Sequence, residues 1–243
     1  MNLLAFDTCF DACSVAVQCG STGAVTCERE LMRRGHAEAL LPMIERTMHA
    51  AGLVYGELDR IAVTHGPGTF TGTRVGMSAA LGLSFTHRLP VATYSSLECQ
   101  ARGVLDVLGE HLAGFDGILV ARDAKRDSLL VEGIDLAGEA LCAPALLDIG
   151  AARQLAGQRR WFVAGSGMPY LVTGATSLEN DMRAVSETLL CDRAEPDARF
   201  LLRDAGTRPP NPSPAPLYLR PPDATPSSRP ALARQDKPGF GDA

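Results

Sequence analysis

Residues 65 to 76, His-Gly-Pro-Gly-Thr-Phe-Thr-Gly-Thr-Arg-Val-Gly, constrain this chain more than any other stretch. Gly66, Pro67, Gly68 and Gly72 fall within seven residues, after a short apolar strand at 61–64 and before a helical segment from about 73 to 87. A glycine turn entering a helix presents backbone N–H groups at the positive end of the helix dipole, with Thr71 or Thr73 to cap it, and so forms a ready anion site. The spacing is not that of a P-loop: five residues separate Gly66 from Gly72, Thr73-Arg74 follow, and there is no lysine. The same glycines also serve a steric purpose, permitting positive φ and close chain approach. The residues leave both uses open. Behind the loop, Gly72, Gly76, Ala80 and Ser84 recur every four residues, a small-residue face that lets another helix come close. Val75, Leu81, Leu83 and Phe85 occupy the other side.

With 243 residues the chain is long enough for one large domain or two small ones. A formal charge of −5 argues against an independent grip on nucleic acid, which needs clustered Lys and Arg. The apolar run at 3–6 stops at Asp7, too short for a signal sequence, and no segment reaches membrane-spanning length, so a cytoplasmic protein is expected. Seven cysteines without a CxxC pair suggest neither a disulfide framework nor a zinc site. Cys13 and Cys19 share strand parity with Val15 and Val17 and read as small core residues.

In chain order, residues 2–8 and 12–19 read as a strand hairpin, and 24–32 as an edge strand. Asp7-Thr8 closes the first strand, where the carboxylate either sits near a bound phosphate or caps the turn. Ala37, Leu40, Leu41, Ile44, Met48 and Ala51 have helical spacing, with Gly52 as C-cap and Pro42 tolerated only near the first turn or with a kink. His36 lacks a second histidine at position 40, so no helical metal pair exists, and no metal ligands are assigned. A strand at 90–94, a helix capped by Ser95, and strands at 117–121 and 128–134 follow. This second hairpin suggests a duplicated βββαβα unit. A strand at 161–164 enters a second glycine turn, Gly165-Ser166-Gly167, and a helix is expected at 197–204 with Leu201 and Leu202 inward. Ten of the sixteen prolines lie beyond residue 206, which reads as an extended tail in which residues 217–220 can dock.

The glycine loop, the Asp7-Thr8 opening with its Ser-Val-Ala-Val strand, Gly-His-Ala-Glu-Ala-Leu-Leu-Pro at 35–42, Asp-Ala-Lys-Arg at 123–126, Val-Ala-Gly-Ser-Gly at 163–167 and Pro-Leu-Tyr-Leu-Arg at 216–220 together resemble the bacterial TsaB (YeaZ) family. They occur in that family's order from residue 2 to about 222. The resemblance implies an α/β fold of the actin-like, Hsp70-like (ribonuclease H-like) type with two related lobes, the second reduced. The expected division is 1–104, 105–206 and a proline-rich tail at 207–243. It further implies a non-catalytic subunit in the formation of threonylcarbamoyladenosine in tRNA. Such a subunit pairs with a TsaD-type transferase, is joined by a TsaE-type ATPase, self-associates through the same helical face and touches tRNA only indirectly.

On that basis Asp7, Gly66, Gly68, Thr69, Gly72 and Arg74 are the candidate nucleotide or anion contacts. Leu40, Ile44, Met48, Gly72, Gly76, Ala80 and Ser84 are the candidate pairing surface. No cofactor of its own is expected; ATP or ADP is placed at a shared interface. A small actin-like kinase or ATPase is the alternative, weakened because no second Asp occupies a comparable strand end. A metallopeptidase would need paired ligands or a nucleophile with a base, and the sequence offers neither.

Overall fold

The structure, a computed structural model, describes residues 1–171 and 195–220. Cys191 and the part of the expected tail at 221–243 lie outside the described residues. The first sheet is built from β1 (Leu3–Asp7), β2 (Ala12–Gln18), β3 (Val25–Leu31), β4 (Arg60–Thr64) and β5 (Val91–Tyr94), in the order β3-β2-β1-β4-β5. β1, β2 and β3 are antiparallel neighbours, whereas β1, β4 and β5 run parallel through helical crossovers. The second sheet, β8-β7-β6-β9, comprises β6 (Gly117–Asp123), β7 (Ser128–Ile134), β8 (Ala140–Asp148) and β9 (Trp161–Ala164). It repeats the first four positions of sheet one, antiparallel hairpins followed by a parallel strand. Among the described residues it has four strands against five. This is the actin-like, ribonuclease H-like α/β architecture.

Strand alternation sorts β1 between two cores. Leu4 and Phe6 face α1 (His36–Ala50) and α2 (Phe70–His87), packing with Leu40, Ile44, Met48, Met77 and Ala80. Leu3 and Ala5 face the other way. There Ala16, Ala5, Ala62 and Ala92 pair in one row across four strands. Their small side chains let a 3-10 turn, Ala198–Arg203, sit on the sheet through Leu201 and Leu202. The inward leucines are as the sequence predicts; the α-helix expected there is a 3-10 segment.

The helix α3 (Ser96–Leu108) lies between the lobes. Leu97, Ala101, Val104 and Leu108 pack on sheet two with Ile118, Val120 and Phe162, while Cys99 joins the sheet-one core. Ser95 caps α3 by accepting from the Leu97 amide. α4 (Ile149–Ala156) and α5 (Met168–Leu171) cover the outer face of sheet two.

Three further expectations change. Cys13 is core, but β2 ends at Gln18, so Cys19 lies half-buried in the hairpin turn, 3.2 Å from the Ser21 hydroxyl. Hydrogen bonds from Ser21 and Thr22 pull its thiol down to about 7. Pro42 stands inside α1, on its exposed side, and the helix continues past it to Ala50; its C-cap is Ala51, one residue ahead of the expected Gly52, which follows with a positive φ. The tail is not unfolded from residue 207. Arg208 pairs with the buried Glu98, and the Asn211 amide donates to the Val91 carbonyl.

Candidate functional site

The glycine loop joins β4 to α2, and Thr69 caps that helix by accepting from the Gly72 amide. The cap is therefore two residues ahead of the first expected position, Thr71. The reason is steric. The β1–β2 turn lies directly under the loop, and Thr69 also donates its own amide to the Cys9 carbonyl at 2.7 Å. A side chain on Gly68 would overlap the Cys9 backbone, and one on Gly72 would overlap the Thr8 carbonyl. A Cβ on Gly76 would come within 2.7 Å of the Thr8 hydroxyl, which donates to the Gly72 carbonyl. Close chain approach is thus one use of these glycines that the structure shows.

Neighbouring elements enclose the rest of the loop. Gly66 accepts from the Ser96 amide and Pro67 from the Ser96 hydroxyl, tying the loop to the start of α3. The Leu217 carbonyl covers Gly66, 2.7 Å from where a Cβ would stand. Asp7 is fully buried behind the loop. It accepts from the Thr64 hydroxyl through Oδ1, while Oδ2 has no hydrogen-bond partner among the described residues. Burial raises its pKa to about 6, against the opposing effect of the Thr64 bond. The Cys9 thiol, 3.3 Å from Thr64 Oγ1, is likewise raised by burial. Arg74 lies away from Asp7, stacked on Phe70 at 3.5 Å and donating to the Tyr218 hydroxyl at 2.7 Å. The six candidate phosphate contacts thus do not converge on an open cradle. The Cβ directions of Gly68 and Gly72 are filled by the chain's own backbone, and the Thr69 and Gly72 amides already donate to the Cys9 carbonyl and the Thr69 hydroxyl.

The candidate pairing residues divide in an instructive way. Leu40, Ile44, Met48 and Ala80 are buried in the first core, and Gly72 and Gly76 are buried against Thr8. Ser84 donates to the Leu89 carbonyl at the end of α2. The small-residue stripe is spent inside the monomer. What α1 and α2 leave outward is a different set: Leu41 (53% exposed), Phe70 (49%), Leu81 (43%) and Phe85 (89%). Leu41, Phe70, Arg74, Val75 and Ser78 line a groove of about 580 Å³ between the two helices. Its signal in the sequence was a second leucine, Leu41, beside Leu40 on α1, and a phenylalanine, Phe70, at the start of α2.

A polar seam, which the sequence did not disclose, joins the lobes. Arg122 on β6 donates to Glu195 at 2.7 Å and lies 3.8 Å over the Phe10 ring, while Glu195 accepts from the Asp11 amide. Glu132 on β7 is buried, and burial pushes its pKa to about 7. Among the described residues no cluster of three or more His, Cys, Asp or Glu is arranged to hold a metal ion, and no helix is long and apolar enough to cross a membrane.

The family model described as TsaD, tRNA N6-adenosine threonylcarbamoyltransferase, matches residues 29–191. The tRNA threonylcarbamoyladenosine biosynthesis protein TsaB of Haemophilus influenzae is 37% identical over 129 residues, 53% of this chain and 52% of that protein. YeaZ from Pseudomonas aeruginosa superposes with a TM-score of 0.64 at 27% identity, covering 90% of this chain and 99% of that one. The chain belongs to the TsaB/YeaZ family. A tRNA N6-adenosine threonylcarbamoyltransferase from Syntrophobacter fumaroxidans is 42% identical over 69 residues, 28% of this chain and 20% of that protein. The chain spans about half the length of the curated TsaB relatives it matches.

Proposed function

We propose that this chain is a non-catalytic scaffold and dimerisation subunit for the formation of threonylcarbamoyladenosine in tRNA, pairing with a TsaD-type transferase through the outward faces of α1 and α2. The supporting observation is the exposed apolar set Leu41, Phe70, Leu81 and Phe85 on adjacent helices, large side chains that a monomer has no reason to leave in water. The closed glycine loop accords with this role, because Asp7, Gly68 and Gly72 serve packing rather than substrate. ATP or ADP belongs, on this reading, to a surface shared with the partner. A TsaE-type ATPase joins the assembly, a second copy of this chain competes for the same helical face, and tRNA is reached through the partner. The work is cytoplasmic. The alternative, a small actin-like kinase or ATPase, requires the loop to open away from the β1–β2 turn.

The test is reconstitution of threonylcarbamoyladenosine formation from the TsaD-type paralogue, the ATPase subunit and tRNA. Product should depend on adding this chain and should fall with Leu41→Glu. Full activity without it, or with the Glu variant, would overturn the proposal.

A further inference from the structure

Residues 211–220 run across both lobes, and their contacts fall at two ends. On the first lobe, the Asn211 amide donates to the Val91 carbonyl at 2.8 Å and its side chain to Thr93. The Leu217 amide donates to the His65 carbonyl at 2.7 Å, and the Ala215 carbonyl lies 3.2 Å from His65 Nδ1. The Tyr218 ring stacks on Phe70 at 5.3 Å, and its hydroxyl accepts from Arg74. Two residues later, Arg220 donates to the Ala124 carbonyl at 3.1 Å, in the turn between β6 and β7 of the second lobe. Pro212, Pro214 and Pro216 fix φ along the segment and stiffen it. The crossing itself is short: two steps at an extended rise of about 3.1 Å carry the chain only about 6 Å from Tyr218 to Arg220, too little for a loose tether.

We infer that residues 211–220 are a latch between the lobes. They clamp the glycine loop and the first turn of α2 at one end and the β6–β7 turn at the other, so that loosening either end loosens both. The physical basis is that Leu217, Tyr218 and Arg220 are too close in sequence to move independently. Lifting Tyr218 from Phe70 displaces Arg220 from Ala124. Because Phe70 and Arg74 also line the groove between α1 and α2, partner docking on that groove would be transmitted to the lobe arrangement. That consequence rests on the function proposed above; the latch does not.

The experiment is hydrogen exchange by mass spectrometry on the full chain without a partner, comparing wild type with Tyr218→Ala, Tyr218→Phe and Arg220→Ala. Tyr218→Ala and Arg220→Ala should each raise exchange at least fivefold in peptides covering both 66–74 and 121–128, leaving β1 and α1 unchanged. Tyr218→Phe keeps the ring, loses the Arg74 bond and should give a smaller rise at the same two places. A rise confined to the mutated end, above all Arg220→Ala without effect at 66–74, would overturn the latch. If Tyr218→Ala accelerates exchange everywhere by unfolding the chain, Tyr218→Phe and Arg220→Ala decide the matter. Failure to bind a TsaD-type partner would count against the proposed function and leave this result standing.

Discussion

The Thr8 hydroxyl donates to the Gly72 carbonyl at 2.7 Å, while the Thr8 carbonyl fills the space a side chain on Gly72 would need. The β1–β2 turn and the start of α2 are thus one packed unit, and the loop that resembles an anion site is held shut by backbone. Gly72→Ala tests this. In an open helix Ala is the better residue by about 1 kcal/mol. Here the new Cβ meets a backbone carbonyl and the Thr69 hydroxyl, so a net loss of about 2–4 kcal/mol is expected in urea denaturation. Neutral or improved stability would show the contact to be loose.

Asp7 gives a pH dependence with a definite sign. Its folded pKa, about 6, lies above the ordinary carboxylate value, so the folded state takes up the proton first. This group favours folding below about pH 4, and its contribution is lost as the pH rises through 6. Asp7→Asn should therefore be more stable than wild type at pH 8, by up to about 2–3 kcal/mol, with the gap closing by pH 4. Denaturation curves at the two pH values check it; a variant less stable at both would mean the charge is favourably held.

Neighbouring leucines on α1 should behave oppositely. Leu41 is 53% exposed and Leu40 is 1% exposed. Leu41→Glu should leave the melting temperature nearly unchanged and weaken binding to a TsaD-type partner at least tenfold, about 1.4 kcal/mol. Leu40→Glu should prevent folding, because it buries a carboxylate in the core. Equal effects of the two on stability, read by thermal melts, would contradict the assigned faces.

Arg208 anchors the segment after the 3-10 turn. It bonds both oxygens of Glu98, which Arg102 also holds, and stacks 3.8 Å from the Tyr94 ring. Arg208→Met should cost about 1–3 kcal/mol, the value of charged hydrogen bonds to a mostly buried carboxylate. An unchanged melting temperature would show Arg102 to be sufficient.

The fold was largely legible because its signals are local. The alternation in β2, the Ser95 cap of α3, the positive-φ Gly52 after α1 and the repeated hairpin at β6 and β7 each act through residues close in sequence. Faces were harder. Four-residue spacing of Gly72, Gly76 and Ala80 reveals a close approach but not its partner, which for the two glycines is Thr8 on the chain's own first hairpin. Leu40, Ile44 and Met48 form the stronger apolar stripe, and the stronger stripe went to the core, leaving the weaker set around Leu41 and Phe85 outside. The docking of residues 207–220 uses backbone bonds and single side chains such as Arg208 and Tyr218, which impose no periodicity on a proline-rich sequence. Arg122 and Glu195 are 73 positions apart, and nothing local announces their pairing.

The most direct measurement is a pull-down of the full chain against the TsaD-type paralogue from the same cell, read beside the chain's own ATPase rate. Expected is partner binding that Leu41→Glu weakens at least tenfold, with no ATP turnover by the chain alone. Absence of binding together with real turnover, lost on Asp7→Asn, would contradict the scaffold role and establish the kinase-like alternative.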